Sequence, residues 1–241
     1  MTSSRGPGNT WGPTPSYSLE GEDLIARSLL RSVTKGTYLD IGCSDPVEIS
    51  NTYSFYLAGW RGVAVDGRTE LKKTWARERP RDTFVPCVID EKDGERTFWM
   101  FPDPTMNTCD AATAERYSHR FPSDQATSSR AKTRSARSIW DEVYGRGSRP
   151  PDLVSLDVEG NELPILKGLV SHCWKPALLI VECKLFSFNA PFEQPVVNFL
   201  CGEFRYVLIA KTPLDAFFID PDNAHFDYLP ATMRNANVFS G

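Results

Sequence analysis

Four carboxylates close, or nearly close, short apolar runs in this chain, where acidic side chains can bind ligands and move protons. They are Asp40, Asp66, Asp157 and Glu182, and each run has the length of a buried strand. A sheet of parallel strands binds its ligand at the carboxyl edge of the strands, so the acids mark that edge as the predicted site. The pattern predicts a nucleotide-binding α/β enzyme.

The turn after the first strand is the predicted cofactor loop. Asp40 precedes this turn, and Gly42 lets the backbone approach a ligand because glycine has no side chain. Asp66 ends the second strand, where a carboxylate can bind both ribose hydroxyls of an adenosine; an ordinary surface acid is the alternative. Asn51 and Thr52 begin the next helix and either hold a cofactor carboxylate or only cap the helix.

A second group of charged residues is the predicted catalytic cluster. Asp157 and Glu159 follow one buried strand, and Glu182 and Lys184 follow the next. A carboxylate here can accept a hydroxyl proton, and Asp157 with Glu182 could bind Mg²⁺ or Mn²⁺, which would relieve the repulsion between acids. The alternative is that Glu159 favours the start of a helix and Glu182 pairs with Lys184.

The elements that position these residues alternate between strands and helices. The pattern predicts a helix over about 20–33, a helix from 162 with Asn161 as its cap, and a helix near 192–201. The region 95–150 is irregular: we expect a hairpin around FWMFPDP within 95–109, and an arginine-rich stretch over 112–138 that is either a lid or an exposed strand and loop. The pattern predicts strands at 38–41, 62–65, 84–89, 153–157 and 178–183, followed by two closely spaced β runs. We therefore expect an α/β fold: a mostly parallel seven-stranded sheet, helices on both faces and a C-terminal antiparallel β pair.

Composition sets the outer limits of this prediction. The chain has 241 residues, 41% of them hydrophobic, so we expect a flexible N-terminal arm over 1–16 and a single domain over 17–241. A net charge of −4 does not favour nucleic acid as a partner. The six cysteines are dispersed and form no CxxC pair, and no apolar stretch approaches the length of a membrane span. We expect a cytoplasmic protein without a zinc site.

Five separated motifs in a consistent order carry a resemblance to a known family. The strings are YSLEGEDLI at 17–25, YLDIGCSDP at 38–46, SNTYSFYLAGWRGVAVDG at 50–67, LVSLDVEGNELPILKG at 153–168 and LLIVEC at 178–183. Together they resemble the FkbM family of S-adenosylmethionine-dependent methyltransferases, which have the Rossmann-like class I fold.

The resemblance implies O-methylation of a hydroxyl on a small molecule, sugar, glycan or natural product, with S-adenosylmethionine as the methyl donor. It places Ser44 in the loop that holds the cofactor, although the family often has a second small or polar pair where this chain has CSDP. It also places Asp90, or its neighbour Ile89, beside the adenine.

Two other classes share parts of the pattern. A nicotinamide-dependent oxidoreductase would carry GxGxxG where this chain has GCSDPV. An RNA 2′-O-methyltransferase, or a nucleic-acid-binding module with this fold, would use the arginine-rich segment 116–137 against phosphates, with Asp157, Glu182 and Lys184 as part of its catalytic set. The sequence leaves the acceptor and the oligomeric state open.

Overall fold

A computed structural model describes residues 14–234, and its centre is a twisted seven-stranded sheet. The strand order is β3-β2-β1-β7-β8-β10-β9, and a separate three-stranded sheet has the order β4-β6-β5. The ten strands are β1 (Thr37–Ile41), β2 (Arg61–Asp66), β3 (Thr83–Pro86), β4 (Val88–Asp90), β5 (Gly94–Met100), β6 (Thr127–Ser135), β7 (Leu153–Leu156), β8 (Leu178–Glu182), β9 (Val207–Lys211) and β10 (Asp215–Ile219).

Helices cover both faces of the large sheet because its strands alternate apolar side chains between two cores. Tyr38 and Leu153 face α1 and α2, whereas Leu39 and Val154 face α5, α6 and α7. The helices are α1 (Glu22–Leu29), α2 (Tyr53–Leu57), α3 (Lys72–Glu78), α4 (Ala111–Arg120), α5 (Ala136–Tyr144), α6 (Glu162–Leu169), α7 (Pro195–Val197) and α8 (Ala231–Arg234).

The sheet confirms the predicted fold class. Strands β1, β2, β3, β7 and β8 are parallel, and β10 runs antiparallel to both β8 and β9. The strand order reverses at β1, which lies between β2 and β7. A reversal of this kind leaves a cleft beyond the carboxyl ends of the two central strands, where α/β folds bind ligands.

The predicted strand over 84–89 is wrong in one respect, because it is two strands in two sheets. Strand β3 pairs with β2, while β4 pairs with β6 of the small sheet. The chain turns aside at Cys87, whose N–H donates to the carbonyl of Asp66 at 3.0 Å, so the ladder with β2 ends there. An unbroken apolar run does not reveal such a change of partner.

The irregular region 95–150 contains most of the small sheet and two helices. For residues 112–138 the sequence left open either a lid or an exposed strand and loop; the structure has α4, a loop and the largely exposed strand β6. The predicted hairpin around FWMFPDP is present only as a bridge between Trp99 and Thr108, since β5 pairs mainly with β6.

Several boundaries also differ from prediction. Helix α1 is shorter than 20–33, and the predicted helix near 192–201 consists of a 3-10 turn, α7 and a π-helical turn (Asn198–Glu203). Asn161 occupies the N-cap position of α6 but makes no side-chain cap, because its side-chain oxygen accepts a hydrogen bond from Arg96 at 3.2 Å instead.

The N-terminal arm and the single domain, both predicted from composition, stay predictions. The predicted N-terminal arm lies outside the described residues, apart from 14–16, and the single domain over 17–241 stays a prediction. Within 14–234, no helix combines the length and apolar character that crossing a membrane requires.

Candidate active site

A cavity of about 450 Å³ opens at the carboxyl edge of the large sheet, at the reversal of strand order. Its volume lies in the range of small-molecule sites. Gly42, Ser44, Asp66 and Arg68 line one end, which we call the Asp66 end. The opposite end, the Asp157 end, is lined by Asp157, Glu159, Glu182 and Lys184.

Gly42 allows the two central strands to meet at the floor of the cavity. Its φ is +79°, a conformation that favours glycine, and a Cβ there would lie 1.7 Å from the carbonyl oxygen of Asp157. Any side chain at this position would therefore push β1 and β7 apart. The sequence predicted that the backbone at Gly42 comes close to a ligand. In the structure, the group that it lies closest to is the backbone carbonyl of Asp157.

At the Asp66 end, neighbouring groups hold the Asp66 side chain in place. Its carboxylate accepts hydrogen bonds from the backbone N–H groups of Ser44 (3.1 Å) and Arg68 (2.9 Å). The guanidinium of Arg68 adds two more, each at 3.0 Å, in a fork geometry. The side chain of Asp66 is about nine-tenths buried and that of Arg68 slightly less. One carboxylate and one guanidinium therefore form a matched, mostly buried pair.

Asp40 and Thr52 lie behind the wall rather than in it. Successive residues of a strand face opposite sides, and Asp40 shares the side of Tyr38, which is filled by helices. Thr52 donates a short hydrogen bond to the Asp40 carboxylate and accepts one from the buried Arg79 at 2.9 Å. Burial raises the pKa of Asp40 to about 6, although Arg79 and Thr52 act in the opposite direction.

Arg79 fastens the loop that follows β1. Its guanidinium is fully buried, pairs with Asp82 at 2.7 Å, and donates to the carbonyl of Pro46 and to Ser50, both at 3.3 Å. A buried arginine needs such partners, since an unpaired buried charge costs several kcal/mol. The loop lining the Asp66 end is therefore supported from beneath by a network in which Asp40 also takes part.

Asn51 and Asp90 also point away from the cavity. The amide of Asn51 donates to Ser155 at 3.1 Å, and Asp90 accepts from Arg96 at 3.0 Å. Ile89, which the resemblance offered as an alternative to Asp90, does line the cavity. Of the seven predicted cofactor residues, the structure brings Gly42, Ser44 and Asp66 together at the wall.

All four predicted catalytic residues converge at the Asp157 end. One carboxylate oxygen from each of Asp157, Glu159 and Glu182 lies within 4.8 Å of the other two. The ammonium of Lys184 lies 2.6 Å from Glu159 and 2.6 Å from Glu182. Among the described residues, no group donates a hydrogen bond to the carboxylate of Asp157, which opens onto the cavity.

Three acids around one lysine change the proton affinities of the group. Asp157 is exposed to the cavity, but loss of solvent around its carboxylate, together with the charges of Glu182 and Glu159, raises its pKa well above its usual value. Burial and Glu159 raise the pKa of Glu182 to about 8, although Lys184 opposes this shift. Burial lowers the pKa of Lys184, but its bonds to Glu159 and Glu182 outweigh burial and raise it, so the ammonium keeps its charge.

Tyr117 is a residue of this cluster that sequence reasoning missed. Its hydroxyl donates a short hydrogen bond to Glu159, and Lys184 donates to the same hydroxyl at 3.3 Å. Tyr117 belongs to α4, whose start is capped by Asp110. The capping pattern could have predicted the helix, but nothing in its sequence indicates that it packs against Glu159.

Strained backbone is concentrated around the cavity. Five non-glycine residues of the described chain have positive φ, and Ser44, Ile49 and Glu159 among them line the cavity. A fourth, Leu185, directly follows Lys184. Such conformations cost about 1–3 kcal/mol each and persist where the surrounding structure holds them, typically at functional sites.

The comparisons with known proteins agree with this geometry. The sheet order and the position of the cavity define a class I methyltransferase fold. The family model "Methyltransferase FkbM domain" matches residues 40–208, which is more than half of the chain. The chain therefore belongs to the FkbM methyltransferase family.

Other comparisons add little. No curated protein matches the chain. Among solved structures, a TehB-like SAM-dependent methyltransferase from Corynebacterium glutamicum is similar, with 12% identity and a TM-score of 0.40 over 84% of this chain and 88% of that one. A similarity of this size supports no argument about residues or substrates.

Proposed function

We propose that this protein is an S-adenosylmethionine-dependent O-methyltransferase that acts on a hydroxyl of a sugar, glycan or natural product. The observation that carries the proposal is one continuous cavity with two different ends. The Asp66 end offers a carboxylate and a tight glycine turn, and the Asp157 end offers acids and a lysine. A methyl donor and a hydroxyl acceptor need such ends facing each other.

The residues at the Asp66 end fit an adenosine cofactor with an amino-acid tail. Asp66 would accept the ribose hydroxyls once Arg68 releases part of its fork, and the Gly42 turn leaves backbone groups open to the tail. We propose Gly42, Ser44 and Asp66 as direct contacts, and Asp40 and Thr52 as support for the loop. S-adenosylmethionine, when bound, supplies an electrophilic methyl group.

Asp157 is the proposed general base. Its carboxylate faces the cavity without a hydrogen-bond donor among the described residues. In its ionised form, Asp157 is a stronger base than an ordinary aspartate because its pKa is raised. An acceptor hydroxyl beside it can pass its proton to Asp157 as the oxygen becomes nucleophilic. Glu159 and Glu182 are already engaged by Lys184, so they are less available for this step.

Lys184 is proposed to stabilise the charge that develops on the acceptor oxygen. Its raised pKa keeps it protonated, so it donates hydrogen bonds and does not act as a base. Glu159 and Glu182 fix the position of the ammonium, and Tyr117 orients Glu159 from behind. A preorganised cation near a developing oxyanion is a strong source of catalysis.

A divalent ion remains a secondary hypothesis for this end. The spacing of Asp157, Glu159 and Glu182 would let them hold Mg²⁺ or Mn²⁺. Lys184, however, already pairs with Glu159 and Glu182, each at 2.6 Å, and an ion would have to displace it. The proposed chemistry therefore depends on Lys184, and the ion enters only as a variable in the assay.

The geometry does not favour the RNA alternative. Three arginines of the basic segment pair with acids: Arg130 with Glu95, Arg134 with Glu142 and Arg137 with Asp141. Lys184 is the single lysine in the cavity wall of the described chain. Pairing of three of the six Lys and Arg side chains over 116–137 reduces the attraction of this segment for a phosphate backbone.

Calorimetric titration with S-adenosylhomocysteine, with NADH as comparator, tests the cofactor assignment. We expect micromolar binding of S-adenosylhomocysteine alone. A methyl-transfer screen of glycosides and hydroxylated natural products follows, with Mg²⁺ or with EDTA, and with an RNA oligonucleotide at several salt concentrations. Failure to bind S-adenosylhomocysteine would contradict the proposal. Methylation of RNA alone would instead support an RNA 2′-O-methyltransferase.

A further inference from the structure

The most exposed apolar side chains of the described chain share one location. Of the large hydrophobic residues on its surface, the four most exposed are Leu185 (98%), Phe188 (75%), Ile49 (63%) and Leu19 (61%). Ile49 and Leu19 line the active-site cavity, while Leu185 and Phe188 line a second, shallow cavity. Scattered exposed hydrophobics need no explanation, but a concentration at one place marks a binding surface.

The second cavity lies next to the first along two chain segments. Lys184 and Leu214 line the active-site cavity, and their chain neighbours Leu185 and Pro213 line the second one. The N–H of Cys183 donates to the carbonyl of Leu214 at 2.9 Å, which joins the two segments. We call this second cavity, formed by 185–188 and 211–213, the side groove.

Further contacts join the remaining rim residues to the side groove. The N–H of Leu214 donates to Glu20, the neighbour of Leu19, at 3.1 Å. The N–H of Ser50, the neighbour of Ile49, donates to the carbonyl of Tyr17 at 2.8 Å. These backbone contacts therefore link the segments that carry Leu19 and Ile49, on the rim of the active-site cavity, to the segments that form the side groove.

The chemistry of the side groove suits an uncharged apolar group. Leu185, Phe186, Phe188 and Pro213 form its walls, and no carboxylate is among its lining residues. The ammonium of Lys211 donates to the carbonyls of Thr212 (2.6 Å) and Pro213 (3.1 Å), and it lies 5.7 Å from the centre of the Phe186 ring, so its charge already has partners within the groove wall. Leu185 projects almost completely into solvent from a backbone with φ +62°, while Lys184 points into the active site.

We infer that the acceptor is amphiphilic: next to the hydroxyl that is methylated it carries an alkyl or aryl group, which lies in the side groove. This inference rests on the proposed function, because it places the acceptor hydroxyl at the Asp157 end. It goes beyond that function by assigning a second binding surface and a chemical class of acceptor. The groove begins one residue from Lys184, so an apolar substituent close to the reacting hydroxyl reaches it.

Alkyl glucosides of different length test the inference. Binding of methyl β-D-glucoside and octyl β-D-glucoside, below micelle formation, is measured by calorimetry in the presence of S-adenosylhomocysteine. We expect at least a roughly 10-fold higher affinity for the octyl compound, about the effect of burying two methylene groups. Leu185→Ser and Phe188→Ser should each lose most of this preference. Leu57→Ser, at an exposed leucine (54%) outside both cavities, is the matched control and should keep it.

The outcomes separate the inference from the proposed function. Equal or absent binding of both glucosides, or a preference that persists in both groove variants, overturns the inference even if S-adenosylhomocysteine binds. Self-association, or binding to phosphatidylcholine vesicles, that the groove variants abolish without any chain-length preference also overturns it and assigns the rim to a second copy or to a bilayer. Loss of S-adenosylhomocysteine binding in the unmutated protein instead contradicts the proposed function.

Discussion

The two ends of the active-site cavity balance their charges in different ways. At the Asp66 end, one carboxylate meets one guanidinium through a fork of two hydrogen bonds, and two backbone N–H groups complete the arrangement. At the Asp157 end, three carboxylates share the ammonium of Lys184. The first end pairs one acid with one cation, and the second has three acids for one cation.

This difference indicates what each end can do. A matched, fully hydrogen-bonded carboxylate is a positioned acceptor that suits binding. Acids that lie close together hold protons more tightly, and the raised pKa values of Asp157 and Glu182 suit proton transfer. Mutations at the Asp157 end should therefore change turnover, and mutations at the Asp66 end should change cofactor affinity.

Asp157→Asn should have the largest effect. The amide keeps the shape of the side chain but cannot accept the hydroxyl proton, so we expect turnover to fall by about 10²–10⁴-fold. The affinity for S-adenosylhomocysteine, measured by calorimetry, should stay within a few-fold of that of the unmutated protein, because the proposed cofactor contacts lie at the Asp66 end. Near-normal turnover would remove Asp157 as the base, and a large loss of cofactor affinity would mean that the two ends are not separable.

Asp66→Asn should have an intermediate effect of the opposite kind. Loss of a charged acceptor for the ribose hydroxyls should weaken S-adenosylhomocysteine binding by about 10–100-fold, in line with hydrogen bonds to charged groups. Turnover at saturating cofactor should change little. Asp227→Asn disrupts another Asp–Arg pair, Asp227 with Arg234 at 2.9 Å, outside the cavity wall, and is the matched control. Unchanged affinity in Asp66→Asn would exclude Asp66 from the cofactor site.

Glu182→Gln should have the smallest effect, on the pH dependence of stability. Burial and Glu159 raise the pKa of Glu182 to about 8, whereas an unfolded glutamate titrates near 4.5. Between these values the folded protein binds more protons than the unfolded chain, so this group lowers the free energy of unfolding as pH rises.

The slope that Glu182 contributes is at most about 1.4 kcal/mol per pH unit, the effect of one proton. Denaturant unfolding at several pH values should show a shallower decline in Glu182→Gln than in the unmutated protein. Glu115→Gln, at an exposed position of α4, is the control and should keep the original slope. An identical slope in all three proteins would argue against a raised pKa at Glu182.

Much of the large sheet could be predicted from sequence because its signals are local. Buried strands such as Leu178–Glu182 are continuous aliphatic runs, and the short separation of β9 and β10 predicts an antiparallel pair. The small sheet could not be predicted in this way. Its strand β6 is polar and largely exposed, and β4 continues the apolar run of β3 but pairs elsewhere.

The site shows the same division. Gly42, Asp66, Asp157 and Glu182 stand at or next to strand ends, so the topology alone brings them to one edge. Asp40, Asn51, Thr52 and Asp90 are also near strand or helix ends, but their side chains face partners behind the wall. Orientation depends on which neighbour each side chain meets, and spacing along the chain does not record that.

The sequence by itself determined the class I fold, the edge of the sheet that holds the site and the acids available there, because strand patterning and strand-end positions are properties of neighbouring residues. Only the tertiary structure decided that Arg68 covers Asp66, that Lys184 lies between Glu159 and Glu182, and that Tyr117 joins them. It also placed Leu185 and Phe188 beside the acceptor end. These contacts join segments that are distant in sequence, and the packing of the whole chain fixes them.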